Sequence, residues 1–270
     1  MDEADLGERL GPEFAAAFAE RGFTSLTAVQ EAALDPEVKD CDLRITSQTG
    51  SGKTLAIGFA IRDLMSGDAT PVNGAARPAA LVIAPTRELA KQVEEELAWL
   101  FKAVGKKVAS VTGGSDFRQE RRALSSGPSI IVGTPGRLLD QLTRGSIDPS
   151  QVRAVALDEA DRMLDMGFRD DIEAIFGKTP EGRRTHLVSA TFPREVLALA
   201  NKMQRDPIMI EGTPLGAANA DIDHVIHLVL PHERFDAIVN LLLASPGTQT
   251  LVFARTRDER LQHGGAGSPG

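Results

Sequence analysis

Two short segments carry residue types suited to phosphate chemistry. The first, Thr49-Gly50-Ser51-Gly52-Lys53-Thr54, lies between the short apolar run Leu43–Thr46 and a helical stretch expected over Thr54–Met65. A tight glycine-rich loop that opens a helix turns backbone N–H groups toward phosphate oxygens, and the helix N-terminus adds favourable dipole charge. Gly50 and Gly52 allow that close approach, Lys53 is placed to reach terminal phosphates as a cation, and Thr54 can offer its hydroxyl to Mg²⁺. The strict pattern G-x-x-x-x-G-K-[ST] is not met, because Ser47 occupies the first glycine position.

The second segment is Asp158-Glu159-Ala160-Asp161, directly after the apolar run ending Ala154-Val155-Ala156-Leu157. A carboxylate at a strand end can hold Mg²⁺, usually through water because that ion gives up its hydration reluctantly, which suits Asp158. The adjacent Glu159 can polarise an attacking water, and Lys53, Mg²⁺ and Glu159 together supply the charge neutralisation and alignment that phosphoryl transfer needs. Taken alone, Asp158 and Asp161 would serve equally well as helix N-caps. The same four letters recur at Asp2–Asp5 with no strand before them and no helix-start glycine loop beside them, so context and not spelling carries the argument.

Those loops need a scaffold that brings them to one edge. From residue 12 to about 212 the chain alternates helical-period stretches with short β-branched runs at Leu43–Thr46, Ala80–Ala84, Val108–Val111, Ser129–Val132, Val152–Leu157, His186–Ser189 and Ile208–Ile210. Short, mainly apolar strands of this kind belong to a parallel sheet covered on both faces. Between two of them, Leu89, Val93, Leu97, Leu100 and Val104 form one apolar stripe over Arg87–Val104, and Trp99 and Phe101 in that helix are expected to be core residues and not platforms for bases. The motif loops all follow strand candidates, at the edge where open α/β sheets bind ligands.

Lys plus Arg total 30 and Asp plus Glu 38, a net charge of −8, which argues against a protein that coats polyanions and confines any nucleic-acid contact to a local surface. The acidic start MDEADLGERL lacks the pattern of a secretory signal, and no apolar run approaches the roughly 20 residues of a membrane span, so a cytoplasmic protein is expected. The single cysteine, Cys41, is expected to be a small half-buried apolar residue.

With these pieces in order, residues 1–212 closely resemble the first RecA-like domain of the DEAD-box family of ATP-dependent RNA helicases. The likeness rests on Gly22-Phe23 with Thr27 and Gln30; on Ser47 through Thr54; on Pro85-Thr86-Arg87-Glu88-Leu89; on Gly113-Gly114; on Thr134-Pro135-Gly136-Arg137; on Asp158 through Asp161; and on Ser189-Ala190-Thr191. The resemblance implies a RecA-like P-loop NTPase fold, a doubly wound, mainly parallel sheet with helices on both faces, using ATP and Mg²⁺. It implies that Gln30 reads the adenine edge with Phe23 nearby, although as a lone residue Gln30 looks like a helix-start surface position. It implies that Ser189 and Thr191 bond to the acidic motif and couple hydrolysis to RNA binding. It also implies sequence-independent contacts to single-stranded or short duplex RNA by Pro85, Thr86, Arg87, Gly113, Gly114, Thr134, Pro135, Gly136 and Arg137, with Arg137 adding charge.

Against the family pattern, Ser47 replaces the usual alanine, with little expected effect; Asp5–Leu10 carries no aromatic residue; and Leu26-Thr27-Ala28 replaces Pro-Thr-Pro. Residues 213–222 are expected to form a linker. Residues 223–270 are expected to begin a second RecA-like domain, with strands at His224–Leu230 and Thr250–Phe253, a helix at Glu233–Ala244 and a disordered tail over Leu261–Gly270. The chain is thus expected to be the ATP-binding half of an ATP-dependent RNA helicase, or a truncated ATP- and RNA-binding module with little activity alone.

Overall fold

The computed structural model describes residues 3–47, 51–67, 69–114, 117–212, 223, 225–244, 247 and 249–253. Chain contacts divide it into two units, Met1–Ala217 and Ala218–Gly270. The first unit is built on a seven-stranded sheet of β1 (Leu43–Thr46), β2 (Ala80–Ile83), β3 (Val108–Val111), β4 (Ile130–Gly133), β5 (Ala154–Leu157), β6 (Arg184–Ser189) and β7 (Ile208–Glu211). Every expected strand of this unit is present, with ends displaced by at most two residues. All pairings are parallel and the spatial order is β3-β4-β2-β5-β6-β1-β7.

The helices divide between the faces in chain order. Side chains from α1 (Glu3–Leu10), α2 (Pro12–Glu20), α3 (Ala28–Ala33), α4 (Lys53–Ile61) and α5 (Arg87–Lys102) pack with Ile45, Val82, Val132 and Val188 on one face. Side chains from α6 (Phe117–Ser125), α7 (Pro135–Thr143), α8 (Ala160–Asp165), α9 (Arg169–Lys178) and α10 (Arg194–Met203) pack with Leu81, Ile131, Leu157 and Leu187 on the other. Two covered faces explain why β2, β4, β5 and β6 are buried at every position while β3 alternates, since β3 lies at a sheet edge. Phe101 is fully buried, and Trp99 packs partly buried against Phe18 and Phe23 at the margin of the same core. Truncating a side chain such as Phe101 would cost about 3–5 kcal/mol.

Among the described residues of the second unit, the expected helix is the one expected element present, as α11 (Arg234–Ala244) after a 3₁₀ turn at Pro231–Glu233. Residues 225–230 and 249–253 are not strands, and Ile226, Leu228 and Phe253 are largely exposed. A parallel strand is held by its neighbours, and the described residues of this unit supply none. The expected linker at 213–222 and the tail at Leu261–Gly270 lie outside the described residues.

His186 is a buried titratable residue in the middle of the sheet. It is fully buried on β6, and neither ring nitrogen has a hydrogen-bond partner among the described residues. Burial, reinforced by the Arg184 charge, pushes its pKa down to about 3. Because the folded value lies below the unfolded one, stability from a neutral His186 is present above pH 6.5 and is lost as the pH falls toward 3. Urea unfolding across pH should show wild type losing up to about 1.4 kcal/mol per pH unit relative to His186→Leu below pH ~6.5; parallel curves would contradict this assignment.

Candidate active site: a phosphate loop facing an acidic strand end

A wholly parallel sheet delivers every strand C-terminus to one edge, and the strand order sorts the loops there into two neighbouring groups. Strands β5, β6 and β1 are adjacent and end at Asp158, Ser189 and Ser47; β3, β4 and β2 are adjacent and lead to Gly113, Thr134 and Pro85. Backbone bonds carry the ladder past the strand ends, with Ser47 N–H donating to Ser189 O at 3.1 Å and Asp158 N–H to Ile83 O at 2.9 Å.

Gln48, Thr49 and Gly50 lie outside the described residues, so the phosphate loop is seen from Ser51 onward. Gly52 caps α4 at φ 82°, a left-handed conformation natural to glycine. A Cβ there would also sit 2.3 Å from Gln30 Nε2. Two side chains of the α3 start brace this turn: Thr27 Oγ1 donates to Ser51 O at 2.9 Å and Gln30 Nε2 to Gly52 O at 3.3 Å. Gln30 also accepts from Thr27 N–H at 3.0 Å, completing a capping box. It is therefore a buried brace and not a surface residue, and the T-x-x-Q spacing of a capping box was the signal available for this. A carboxamide has two N–H donors and two acceptor lone pairs, so one of each remains for a ligand. Ser47 is buried with its hydroxyl bonded to that of Ser51, a contact that alanine could not make. Phe23 is 44% exposed and stacks against Trp99, over which Arg21 lies.

Lys53 and Asp158 are both buried, and their charges act on one another. Asp158 is 6% exposed and its Oδ1 has no hydrogen-bond partner among the described residues. Burial pushes the Asp158 carboxyl up to about 6; Lys53 opposes the rise and Glu159 adds to it. A buried carboxyl oxygen without a donor is the local environment a cation would relieve, and Thr54 lies in the first turn of α4. No cluster of three or more His, Cys, Asp or Glu suited to a metal occurs among the described residues. A Mg²⁺ carried by phosphates needs only one or two protein oxygens, so the residues present fit it.

Glu159 sits at φ 56°, unusual for a non-glycine residue, in the turn between β5 and α8. One of its carboxylate oxygens accepts from Arg162 Nη1 at 3.1 Å. Asp161 joins the next loop: its N–H donates to Ser189 Oγ at 3.2 Å, and its Oδ2 accepts from Thr191 N–H at 3.1 Å and Thr191 Oγ1 at 2.8 Å. Burial alone would raise the Asp161 pKa, but the bonds from Thr191, Ser189 and the backbone hold it below the usual carboxylate value. Ser189 and Thr191 therefore bond to the acidic motif through Asp161 and do not cap α10, whose N-cap is Pro193.

In the other group, Pro85 and Pro135 are buried and shape the loops, while Arg87, Gly114 and Gly136 are exposed. Thr86 caps α5 by accepting from Leu89 N–H at 3.3 Å, whereas Thr134 makes no capping bond to α7. Gly114 has φ +81°, and a Cβ on it would lie 2.2 Å from Arg87 Nη1, so the guanidinium packs where a side chain would be. Arg137 is not an unpaired cation. Its guanidinium pairs with Glu120 at 2.7 Å and Asp140 at 3.0 Å, a commitment invisible in its motif.

The raised pKa of Asp158 has a measurable sign. Its neutral form is favoured on folding, so its contribution is present below the unfolded value of 3.8 and is lost as pH rises toward about 6. Without nucleotide or metal, wild type should lose on the order of 2–3 kcal/mol relative to Asp158→Asn between pH ~4 and ~7. Paired chemical-denaturation curves over that range check it; a constant difference would contradict a buried, poorly solvated carboxyl.

Comparison with known proteins places this edge in a family. The DEAD/DEAH box helicase family model matches residues 27–199. The DEAD-box ATP-dependent RNA helicase RhpA of Helicobacter pylori is 38% identical over 240 residues, covering 89% of this chain and 47% of the relative. The ATP-dependent RNA helicase DbpA of Escherichia coli is 42% identical over 241 residues, 89% of this chain and 51% of the relative. The chain thus spans about half the length of the curated relatives it matches. Among solved structures, a DEAD box protein from the hyperthermophile Methanococcus jannaschii aligns with TM-score 0.68 and 33% identity over 94% of this chain and 66% of that one. A hypothetical ATP-dependent RNA helicase from Sulfolobus tokodaii aligns with TM-score 0.66 and 33% identity over 75% of this chain and 57% of that one. With that match spanning both groups of edge loops, the chain belongs to the DEAD/DEAH box helicase family.

Proposed function

We propose that this chain is the ATP-binding half of an ATP-dependent RNA helicase, hydrolysing ATP in the Lys53–Asp158 cleft and holding RNA along the β2–β3–β4 edge. The observation that carries this reading is the buried Asp158 oxygen, without a partner among the described residues, whose charge acts with that of Lys53 at the start of a glycine-capped helix. In this reading Gln30 offers its remaining donor and acceptor to adenine beside Phe23. Thr49, Gly50, Ser51 and Gly52 present backbone N–H groups to the phosphates, and Lys53 sets its charge against the terminal ones. Thr54 and Asp158 would hold Mg²⁺, which when bound neutralises phosphate charge. Glu159, with one oxygen held by Arg162, turns the other toward the water that attacks the γ-phosphorus, and the bond to the β–γ bridging oxygen breaks to leave ADP and phosphate.

On the RNA side, Gly113, Gly114 and Gly136 let phosphates approach the backbone, Thr86 and Thr134 add hydroxyls, and Arg87 adds charge. Pro85, Pro135 and Arg137 act by shaping those loops. Contacts of this type read the backbone and not the bases, so binding to single-stranded or short duplex RNA is sequence-independent. Asp161 carries the coupling, since Ser189 and Thr191 fasten the hydrolytic strand end to the neighbouring loop. We place the protein in the cytoplasm; no described helix is long and apolar enough to cross a membrane. A second reading is supported by the chain's coverage of only about half of each relative: residues 1–270 alone would bind ATP and RNA with little turnover.

Purified residues 1–270 distinguish the readings through ATP hydrolysis measured with and without single-stranded RNA. Stimulation supports the enzyme; nucleotide binding without stimulation supports the binding module. Lys53→Ala should abolish binding of a fluorescent ATP analogue, and tight binding by that variant would overturn the site. Glu159→Gln should retain binding and slow hydrolysis by about 10²–10⁴-fold; unchanged turnover would remove Glu159 from the chemistry.

A further inference from the structure

Glu120 lies on α6, outside every motif quoted from the sequence, and is only 4% exposed. A buried carboxylate is costly unless its oxygens are satisfied, and this one is satisfied from two directions. Its Oε1 accepts from the backbone N–H of Thr112 at 3.0 Å, the residue before Gly113. Its Oε2 accepts from Arg137 Nε at 2.9 Å, Arg137 Nη2 at 2.7 Å and Gln141 Nε2 at 3.1 Å, all donors on α7, whose first turn holds Pro135 and Gly136. Thr112 and Glu120 also line, with Arg87, a cleft of about 360 Å³ between α5 and α6.

We propose that Glu120 is the positioning residue of the RNA edge, a buried carboxylate that fixes the Gly113–Gly114 loop and the first turn of α7 in one register. The inference rests on the reading that those loops hold RNA. Glu120 spends Arg137's charge on the protein and leaves exposed backbone at Gly114 and Gly136 to face the phosphates. Charge-assisted bonds of this geometry are directional as well as strong, so they define the separation of two loops that the sheet ladder alone does not fix beyond the bond from Thr134 N–H to Val111 O.

Electrostatics and positioning predict opposite outcomes. If Glu120 were merely a negative charge near RNA, removing it would release Arg137 and tighten binding, with a steeper dependence on salt. If it positions the edge, Glu120→Ala in the 270-residue chain should weaken binding of a fluorescein-labelled single-stranded RNA by about tenfold. The salt dependence should stay unchanged, and affinity for a fluorescent ATP analogue should remain within about twofold. Adding Arg137→Ala to Glu120→Ala should cost no further affinity, because the pair acts as a unit. Glu120→Gln keeps the volume and one acceptor oxygen and should fall between wild type and Glu120→Ala, which keeps the test available should the alanine variant fail to fold. Unchanged or tighter RNA binding by the variants, or a parallel loss of ATP and RNA affinity in both, would overturn the proposal. Failure of the wild-type chain to bind RNA would instead overturn the reading of the edge.

Discussion

The parallel register of β5, β6 and β1 is the constraint on which the rest depends. Leu157 pairs with Leu187, and Val188 and Ser189 pair with Ile45 and Thr46, so the three strands end within a residue or two of the same level. Asp158, Ser189 and Ser47 consequently emerge side by side, and the backbone bonds of Ser47 to Ser189 and of Asp158 to Ile83 hold the loops as extensions of the sheet. A shift of one residue in any of these strands would turn the side chains packed in one core toward the other, on a sheet covered on both faces, a cost the two packed cores forbid.

That rigidity lets the site carry unfavourable features. Asp158 is held in a buried position where its ionised form is disfavoured, with one oxygen lacking a donor. Glu159 holds a left-handed backbone conformation without being glycine. Each costs free energy in the empty protein, and each concerns a residue assigned to metal or water, the expected signature of a place where local rules yield to function. Asp161, two residues on from Glu159, accepts from Thr191 and from Arg162 N–H through its carboxylate and donates its own N–H to Ser189 Oγ, which anchors the same turn.

Much of this was legible in the sequence because the strongest signals were local. Seven apolar runs, each ended by a turn residue, located seven strands, and the motif loops could be placed on one edge from strand polarity alone. The partners of buried polar groups were not legible, since they depend on which strands become neighbours. Arg137 looked like a charge for RNA, yet its counter-ions Glu120 and Asp140 come from another helix and the next turn. Gln30 looked exposed because its bond to Gly52 needs the α3–α4 approach, although its capping box with Thr27 is local. Ser47 looked neutral, although its hydroxyl reaches Ser51 across the loop. The runs His224–Leu230 and Thr250–Phe253 looked like strands because apolar residues say nothing about whether a partner strand exists, and the described residues there are not strands.

The central claim is that nucleotide and metal meet between the glycine loop and the β5 end. A crystal structure of the chain with a non-hydrolysable ATP analogue and Mg²⁺ tests it most directly. The account predicts terminal phosphates beside Lys53, the adenine beside Gln30, and Mg²⁺ on the side of Thr54 and Asp158, so that the oxygen now lacking a partner gains one. Nucleotide bound elsewhere, or bound here with Asp158 untouched by the ion or its water shell, would contradict it.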